Sequence, residues 1–391
     1  MKLRGRFRPK ADICQLRYSG VYLGASTRMG NVRRLVKITA ISLGVLVLVV
    51  SVWAIYTYTF YVHYHGPVES VSFQSGDDVT MKGLFIKPDA TGIHPAVILL
   101  HGSGPLTADH PAVRIYANAF LRSGISVLVY DKRGVGSSGG TFFHSGYSDF
   151  IEDGISAVRY LESRSDVDAD AIGLLGSSEG GWFSPEIAVT TGSVAFIVNR
   201  AGPPVPWIDT NLWEIRHDLI DSGVSGELLT DAVRLRWLIW RFLVKLDANK
   251  SLGDSEEWRH IDNELVAFYR KYGQDESWLK QRRRFGQRLA DNVTSYKLYG
   301  VAISYDPQPY IEQLNIPMLY IFAEHDKNVP TALSVEYLRS LQGQPGSNIE
   351  FDVIAGVDHS MLSPAALFSA GVDPGFLSVV GPWAAAKVSA E

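Results

Sequence analysis

A chain of 391 residues, 46% hydrophobic and 20% charged, can bury one large α/β domain with additions, and it lacks the compositional bias of disordered or fibrous proteins. Its net charge of −4 argues for no particular partner. The single cysteine, Cys14, excludes an intramolecular disulfide and a Cys-based metal site.

The modest net charge conceals an asymmetry. Residues 1–37 hold ten Lys or Arg against one acid, Asp12. Ile38 to Val62 then runs without a charged residue, enough helix to cross a hydrocarbon core of about 30 Å. Aromatics crowd its far end (Trp53, Tyr56, Tyr58, Phe60, Tyr61), as at a membrane interface. A cleaved signal peptide would want a shorter apolar stretch and a small-x-small site. The positive flank precedes the run, so residues 1–37 read as a cytoplasmic leader and 38–62 as a single-pass transmembrane anchor. Residues 66–391 are then expected on the periplasmic or extracellular side. Met29 opens a complete basic flank of its own and is a second candidate start. Membrane orientation accounts for the basic leader, so no nucleic-acid partner is expected.

After the anchor, Val68–Phe73 and Val79–Ile86 alternate and predict an antiparallel hairpin at a sheet edge. Ala96–Leu100 is uniformly apolar, as a strand buried on both faces should be, and ends at His101-Gly102-Ser103-Gly104-Pro105. A helix over Arg114–Arg122 leads to a strand at Ile125–Tyr130 and the turn Asp131-Lys132-Arg133-Gly134. Asp149–Arg164 has helical period, and Ile172–Leu175 and Val194–Val198 are further strands. The alternation breaks between Pro203 and Gly300. That interval carries six of the nine tryptophans and long helical patterns, with a basic cluster at Lys280–Arg284 and Arg288 that reads as a solvated face. Strands return at Pro317–Phe322 and Ile349–Ile354 around a helix at Leu333–Leu341. The pattern predicts an α/β fold: a mostly parallel central sheet with helices on both faces, core 66–202 and 301–391, interrupted by a helical cap at 203–300.

Ligands on such sheets sit beyond the carboxyl ends of the strands. There lies Gly176-Ser177-Ser178-Glu179-Gly180, with a strand directly before it and a helix directly after. Gly-x-Ser-x-Gly in that setting places a serine on a sharp, strained turn with its hydroxyl clear of the sheet. A second match, Gly136-Ser137-Ser138-Gly139-Gly140, lacks that context and reads as a glycine-rich loop. A serine hydroxyl needs a general base and a group that orients it. Asp326 follows the strand at 317–322 and His359 follows the last strand, giving Ser178, Asp326 and His359 in the order nucleophile, acid, histidine. Glu324 and Asp358 are substitutes for the acid, and His325 is a poorer rival for the base.

These segments together (His101–Pro105, Asp131–Ser137, Gly176–Gly181, Glu324–Pro330 and Asp358–Ser360) resemble the α/β-hydrolase superfamily, in its serine esterase and prolyl-oligopeptidase-like (dienelactone hydrolase-like) branch. The resemblance runs from about Val68 to the end. It implies an oxyanion hole from the backbone N–H of Glu179 and one from the 102–104 loop, Ser103 first and Gly104 beside it. It also implies that Asp131–Gly134 shapes a turn and that the apolar cap covers the acyl pocket. Ser177 stands where the family often has a bulkier His or Tyr, and the acidic Glu179 beside the nucleophile is expected to disfavour anionic substrates.

The reading is a membrane-anchored serine hydrolase acting on small-molecule esters of small or medium acyl groups, with no cofactor and no metal. The same triad serves a peptidase, an acyltransferase or a thioesterase, and a non-catalytic binding protein on this fold is the alternative of a different class.

Overall fold

The computed structural model describes residues 19–76, 78–88, 91–248, 256–276, 278, 303–362 and 372–389. Residues 1–18 of the leader and the basic cluster at Lys280–Arg284 with Arg288 lie outside the described residues. The chain divides into two compact units, Met1–Thr59 and Phe60–Glu391.

The first unit is built on helix α1, Ser19–Thr57. Arg34–Val62 is the one segment, among the described residues, long and apolar enough to cross a membrane by length and composition, with mean hydropathy 2.5 and none of its most apolar stretch buried.

The second unit is organised by eight strands: β1 (Val68–Gln74), β2 (Thr80–Ile86), β3 (His94–Leu100), β4 (Ser126–Tyr130), β5 (Val167–Ser177), β6 (Val194–Arg200), β7 (Met318–Ala323) and β8 (Ile349–Ile354). They form one sheet in the order β1-β2-β4-β3-β5-β6-β7-β8. The hairpin β1–β2 is antiparallel and meets β4 antiparallel, while every pairing from β4 through β8 is parallel. The carboxyl ends of β3 to β8 therefore open on one edge, and the chain order reverses around β3.

Both faces of the sheet are covered. On β3, Ala96, Ile98 and Leu100 belong to one core cluster and Val97 and Leu99 to the other, which is why Ala96–Leu100 is apolar at every position. The first cluster includes side chains of helices α3 (Tyr147–Glu162) and α4 (Glu179–Thr191). The second includes side chains of α2 (Pro111–Leu121) and the C-terminal helix, which covers Pro374–Val388 and packs on α2. Gly381 marks that crossing: a Cβ there would stand 2.2 Å from the carbonyl oxygen of Ala119.

Helix α2 starts at Pro111, three residues earlier than the apolar period suggests, because His110 caps it: the His110 Nδ1 accepts from Ala112 N at 3.3 Å. The C-terminal helix went unread in the sequence. Its apolar residues surround Gly381 and Pro382 without a polar face, so no helical period emerges. Between β6 and β7 the described chain contains helices α5 (Trp207–Asp221), α6 (Gly226–Ala248) and α7 (Glu256–Tyr272) and no strand. Trp207 and Trp240 meet edge to face with ring centroids 5.4 Å apart, and Trp278 is buried as well.

Candidate active site

Strand β5 runs directly into the turn at Ser178, whose φ of 52° and ψ of −115° place a non-glycine residue in a sparsely populated region. The surrounding glycines make this turn possible. A Cβ on Gly180 would come within 2.5 Å of the Leu100 carbonyl oxygen, and one on Gly176 within 2.4 Å of Asn199 Oδ1. Close approach of β3, β5 and β6 at this point demands the two glycines that flank the serine. The backbone N–H of Ser178 donates to the Arg200 carbonyl at 2.9 Å, pinning the turn to the end of β6.

Three loops at the carboxyl edge bring Ser178, His359 and Asp326 into one hydrogen-bonded line. His359 Nε2 lies 3.0 Å from Ser178 Oγ, and His359 Nδ1 lies 2.8 Å from Asp326 Oδ2. Asp326 is 3% exposed; its other oxygen, Oδ1, accepts from the backbone N–H of Asn328 and of Val329, each at 2.8 Å. The carboxylate is thus held on both oxygens, and its Oδ2 selects the imidazole tautomer that carries a proton on Nδ1. Trp213 of α5 donates from Nε1 to the Asp326 carbonyl at 3.1 Å, so the helical interval touches the loop that bears the acid.

The other sequence candidates lie in different surroundings. Glu324 Oε2 accepts from Gly356 N at 2.8 Å, Asp358 Oδ1 accepts from Ser360 N at 3.0 Å, and the His325 ring is exposed beside Glu324. Ser138 Oγ donates to the Asp131 carbonyl at 2.7 Å and accepts from Lys82 N at 2.9 Å, which makes it a latch on β2. Asp131 takes the N–H groups of Ala108 and Ser137, each at 2.7 Å, and ties the two loops together.

Gly102 packs on Ser178: a Cβ on it would stand 3.3 Å from both the Ser178 Cβ and the Ser177 carbonyl oxygen. The backbone N–H groups of Glu179, Ser103 and Gly104 make no hydrogen bond among the described residues. Glu179 opens α4, where the helix dipole favours negative charge.

Two functional positions escaped the sequence reading. Lys132, 5% exposed, extends its Nζ to Glu179 Oε2 at 2.8 Å and to the Gly102 carbonyl at 3.0 Å, above the ring of Phe150. The Glu179 carboxylate is thus directed at a buried ammonium, which weakens the ground for expecting it to disfavour anionic substrates. Arg200 is the second. Its Nε and Nη2 donate to Ser177 Oγ at 3.1 and 2.9 Å, and its Nη1 donates to the His359 carbonyl at 2.9 Å. The small Ser177 is thereby the anchor of a guanidinium. The signal was present in both cases, a basic residue at a strand's carboxyl end. Lys132 lies within a turn pattern, and the apolar run of β6 stops two residues short of Arg200.

His101 is also buried, and burial lowers its pKa to about 4; its Nε2 lies 2.6 Å from the Tyr130 carbonyl, so the neutral ring donates there and links β3 to β4.

A cavity of about 610 Å³ opens beside Ser178 and His359, walled by Leu106, Val113, Tyr116 and Leu362 among others. None of the described residues of α5, α6 or α7 lines it. It faces α2 and the residues Ser360, Leu362 and Val372, on the side of the site away from the described cap helices.

The sequence profile of the alpha/beta hydrolase family matches residues 97–370. The chain belongs to the alpha/beta hydrolase family. Among its relatives, the chain is 28% identical over 305 residues to Esterase EstD of Thermotoga maritima, covering 76% of this chain and 62% of EstD. The chain thus spans less than two thirds of that relative's length. It is 32% identical over 179 residues to human dipeptidyl peptidase 8, covering 42% of this chain and 20% of the peptidase. Among solved structures, EstE1, a thermostable carboxylesterase cloned from a metagenomic library, superimposes with a TM-score of 0.50 at 15% identity, covering 85% of this chain and 93% of EstE1. That last likeness is one of fold.

Proposed function

We propose that this chain is a serine hydrolase that cleaves carboxylic esters of small or medium acyl groups. The observation that carries the reading is the position of His359, within hydrogen-bond reach of Ser178 on one nitrogen and of Asp326 on the other. Ser178 Oγ attacks the ester carbonyl while His359 Nε2 takes its proton, and Asp326 holds and stabilises the imidazolium. The oxyanion is received by the N–H of Glu179 and of Ser103, with Gly104 beside it. The C–O bond to the alcohol breaks as His359 returns the proton to the leaving oxygen. Water, deprotonated by His359, then hydrolyses the acyl-enzyme and frees Ser178.

The 203–300 interval is assigned as a cap that meets the Asp326 loop through Trp213 and through the pair of Asp221 with Lys327. The apolar helix is assigned as a single-pass anchor with residues 1–37 in the cytoplasm, supported by the charge asymmetry across it. Turnover of a chromogenic acyl ester by the full chain in detergent, lost in Ser178→Ala, tests the chemistry. A panel of matched ester, amide and thioester substrates separates esterase from peptidase and thioesterase, and absent labelling by a fluorophosphonate would favour a non-catalytic role.

A further inference from the structure

The catalytic cavity contains a buried cation that the proposed ester chemistry does not require. Arg200 lines it and is 7% exposed. Its partners are a hydroxyl, a backbone carbonyl and the ring of Tyr116, whose centroid lies 5.3 Å from Cζ. All are neutral. Among the described residues, no carboxylate pairs with it and no Asp or Glu lines the cavity. The sequence of residues 363–371, which connects two residues of the cavity wall, Leu362 and Val372, contains no acid.

Taking a guanidinium out of water without a counter-charge is costly, and buried cations normally meet an anion. The other charged pairs around the elbow obey this rule: Lys132 meets Glu179, and Arg133 meets Asp153 at 2.7 Å. Arg200 is the exception, and it opens on the space that receives substrate. Of the five N–H donors of a guanidinium, three are used, two by Ser177 and one by His359, which leaves one on each terminal nitrogen. Free guanidinium N–H groups are strong donors to a carboxylate.

We infer that Arg200 is a specificity-determining residue that binds a carboxylate carried by the substrate, so that the natural ester is anionic. This inference rests on the serine-hydrolase reading and narrows it to carboxylate-bearing esters. Pairing with Lys132 offsets the Glu179 charge that would otherwise oppose such a substrate. The guanidinium also ties the loop of His359 to Ser177, so a bound carboxylate would stiffen the contact between the base and the elbow.

The test uses the full chain in detergent with two matched pairs. The 4-nitrophenyl hemiester of glutarate against 4-nitrophenyl pentanoate carries the charge on the acyl side; 4-(butanoyloxy)benzoate against its methyl ester carries it on the leaving group. In at least one pair, kcat/KM for the anionic ester is expected to exceed that for the neutral one by about tenfold or more, the strength of a charge-assisted hydrogen bond. In Arg200→Gln the ratio should collapse to about one or below, whatever happens to the absolute rates, with Arg200→Lys in between. Calorimetric titration of Ser178→Ala with the same esters reads the preference without turnover, so it separates a failure of this inference from a failure of the ester chemistry. A wild-type protein that favours the neutral ester in both pairs, or an anionic preference that survives in Arg200→Gln, would overturn the inference.

Discussion

Lys132 Nζ and Glu179 Oε2 stand 2.8 Å apart, with the two side chains 5% and 12% exposed. The same ammonium takes the Gly102 carbonyl at 3.0 Å, so one side chain fixes the residue after the nucleophile and the loop that packs on it. With that carbonyl turned to Lys132, the N–H of the same peptide unit, that of Ser103, points the opposite way. Lys132→Met removes both contacts and leaves a largely buried carboxylate unpaired, a change that costs about 3–5 kcal/mol where such pairs are fully desolvated. We expect a lower melting temperature and a fall in kcat of about tenfold or more with a smaller change in KM. The double variant Lys132→Met with Glu179→Gln should recover much of the stability and little of kcat, checked by calorimetry and steady-state kinetics.

Asp326 holds the Nδ1 side of His359 at 2.8 Å while both of its own oxygens are engaged. Asp326→Asn presents an amide where the imidazole needs an acceptor and favours the wrong tautomer, a substitution that lowers kcat by about 10⁴ in serine hydrolases of this design. Glu324→Gln, on a side chain that meets Gly356 instead, should stay within about threefold of wild type in the same assay.

Gly180 sits where a Cβ would be 2.5 Å from the Leu100 carbonyl oxygen and 2.8 Å from that of His101. Both obstacles are backbone, so β3 and the helix after the elbow must separate to admit a methyl group. Gly180→Ala should cost about 1–3 kcal/mol or more and lower activity by misplacing Ser178. Gly192→Ala tests the other kind of glycine: nothing stands within 4 Å, and the cost there comes from its φ of +70° alone. It should destabilise the fold and leave kcat/KM for the surviving protein near the wild-type value.

His101 is neutral in the folded protein, since burial holds its pKa at about 4 against an ordinary value of 6.5. The unfolded chain takes up this proton first, so the stability that the neutral ring contributes is complete above pH 6.5 and is lost as pH falls from 6.5 through 4. The fully developed effect is on the order of 3 kcal/mol. A His101→Gln variant, measured by thermal unfolding at pH 7 and pH 4.5, should lose less stability across that interval than the wild type.

The sequence made the parallel core and the elbow readable because both are short-range signals. A strand covered on both faces is apolar at each position, as Ala96–Leu100 of β3 is, and a glycine-flanked serine between a strand and a helix has few other uses. The order of Ser178, Asp326 and His359 followed from strand ends alone. What stayed hidden depends on contacts across the sheet. Lys132 and Arg200 look like ordinary basic residues in the chain, and their meaning appears when Glu179, Gly102, Ser177 and the His359 carbonyl come within hydrogen-bond distance. The location of the cavity beside α2 was illegible for the same reason, since its walls are drawn from segments more than two hundred residues apart.

The central claim is that Ser178 is the nucleophile served by His359. Labelling the full chain with a fluorophosphonate probe and mapping the modified peptide by mass spectrometry tests it most directly. A single adduct on Ser178, absent in Ser178→Ala, strongly slowed in His359→Ala and retained in Ser138→Ala, is the predicted result. An adduct on Ser138, or labelling of Ser178 at an unchanged rate without the His359 imidazole, would contradict it.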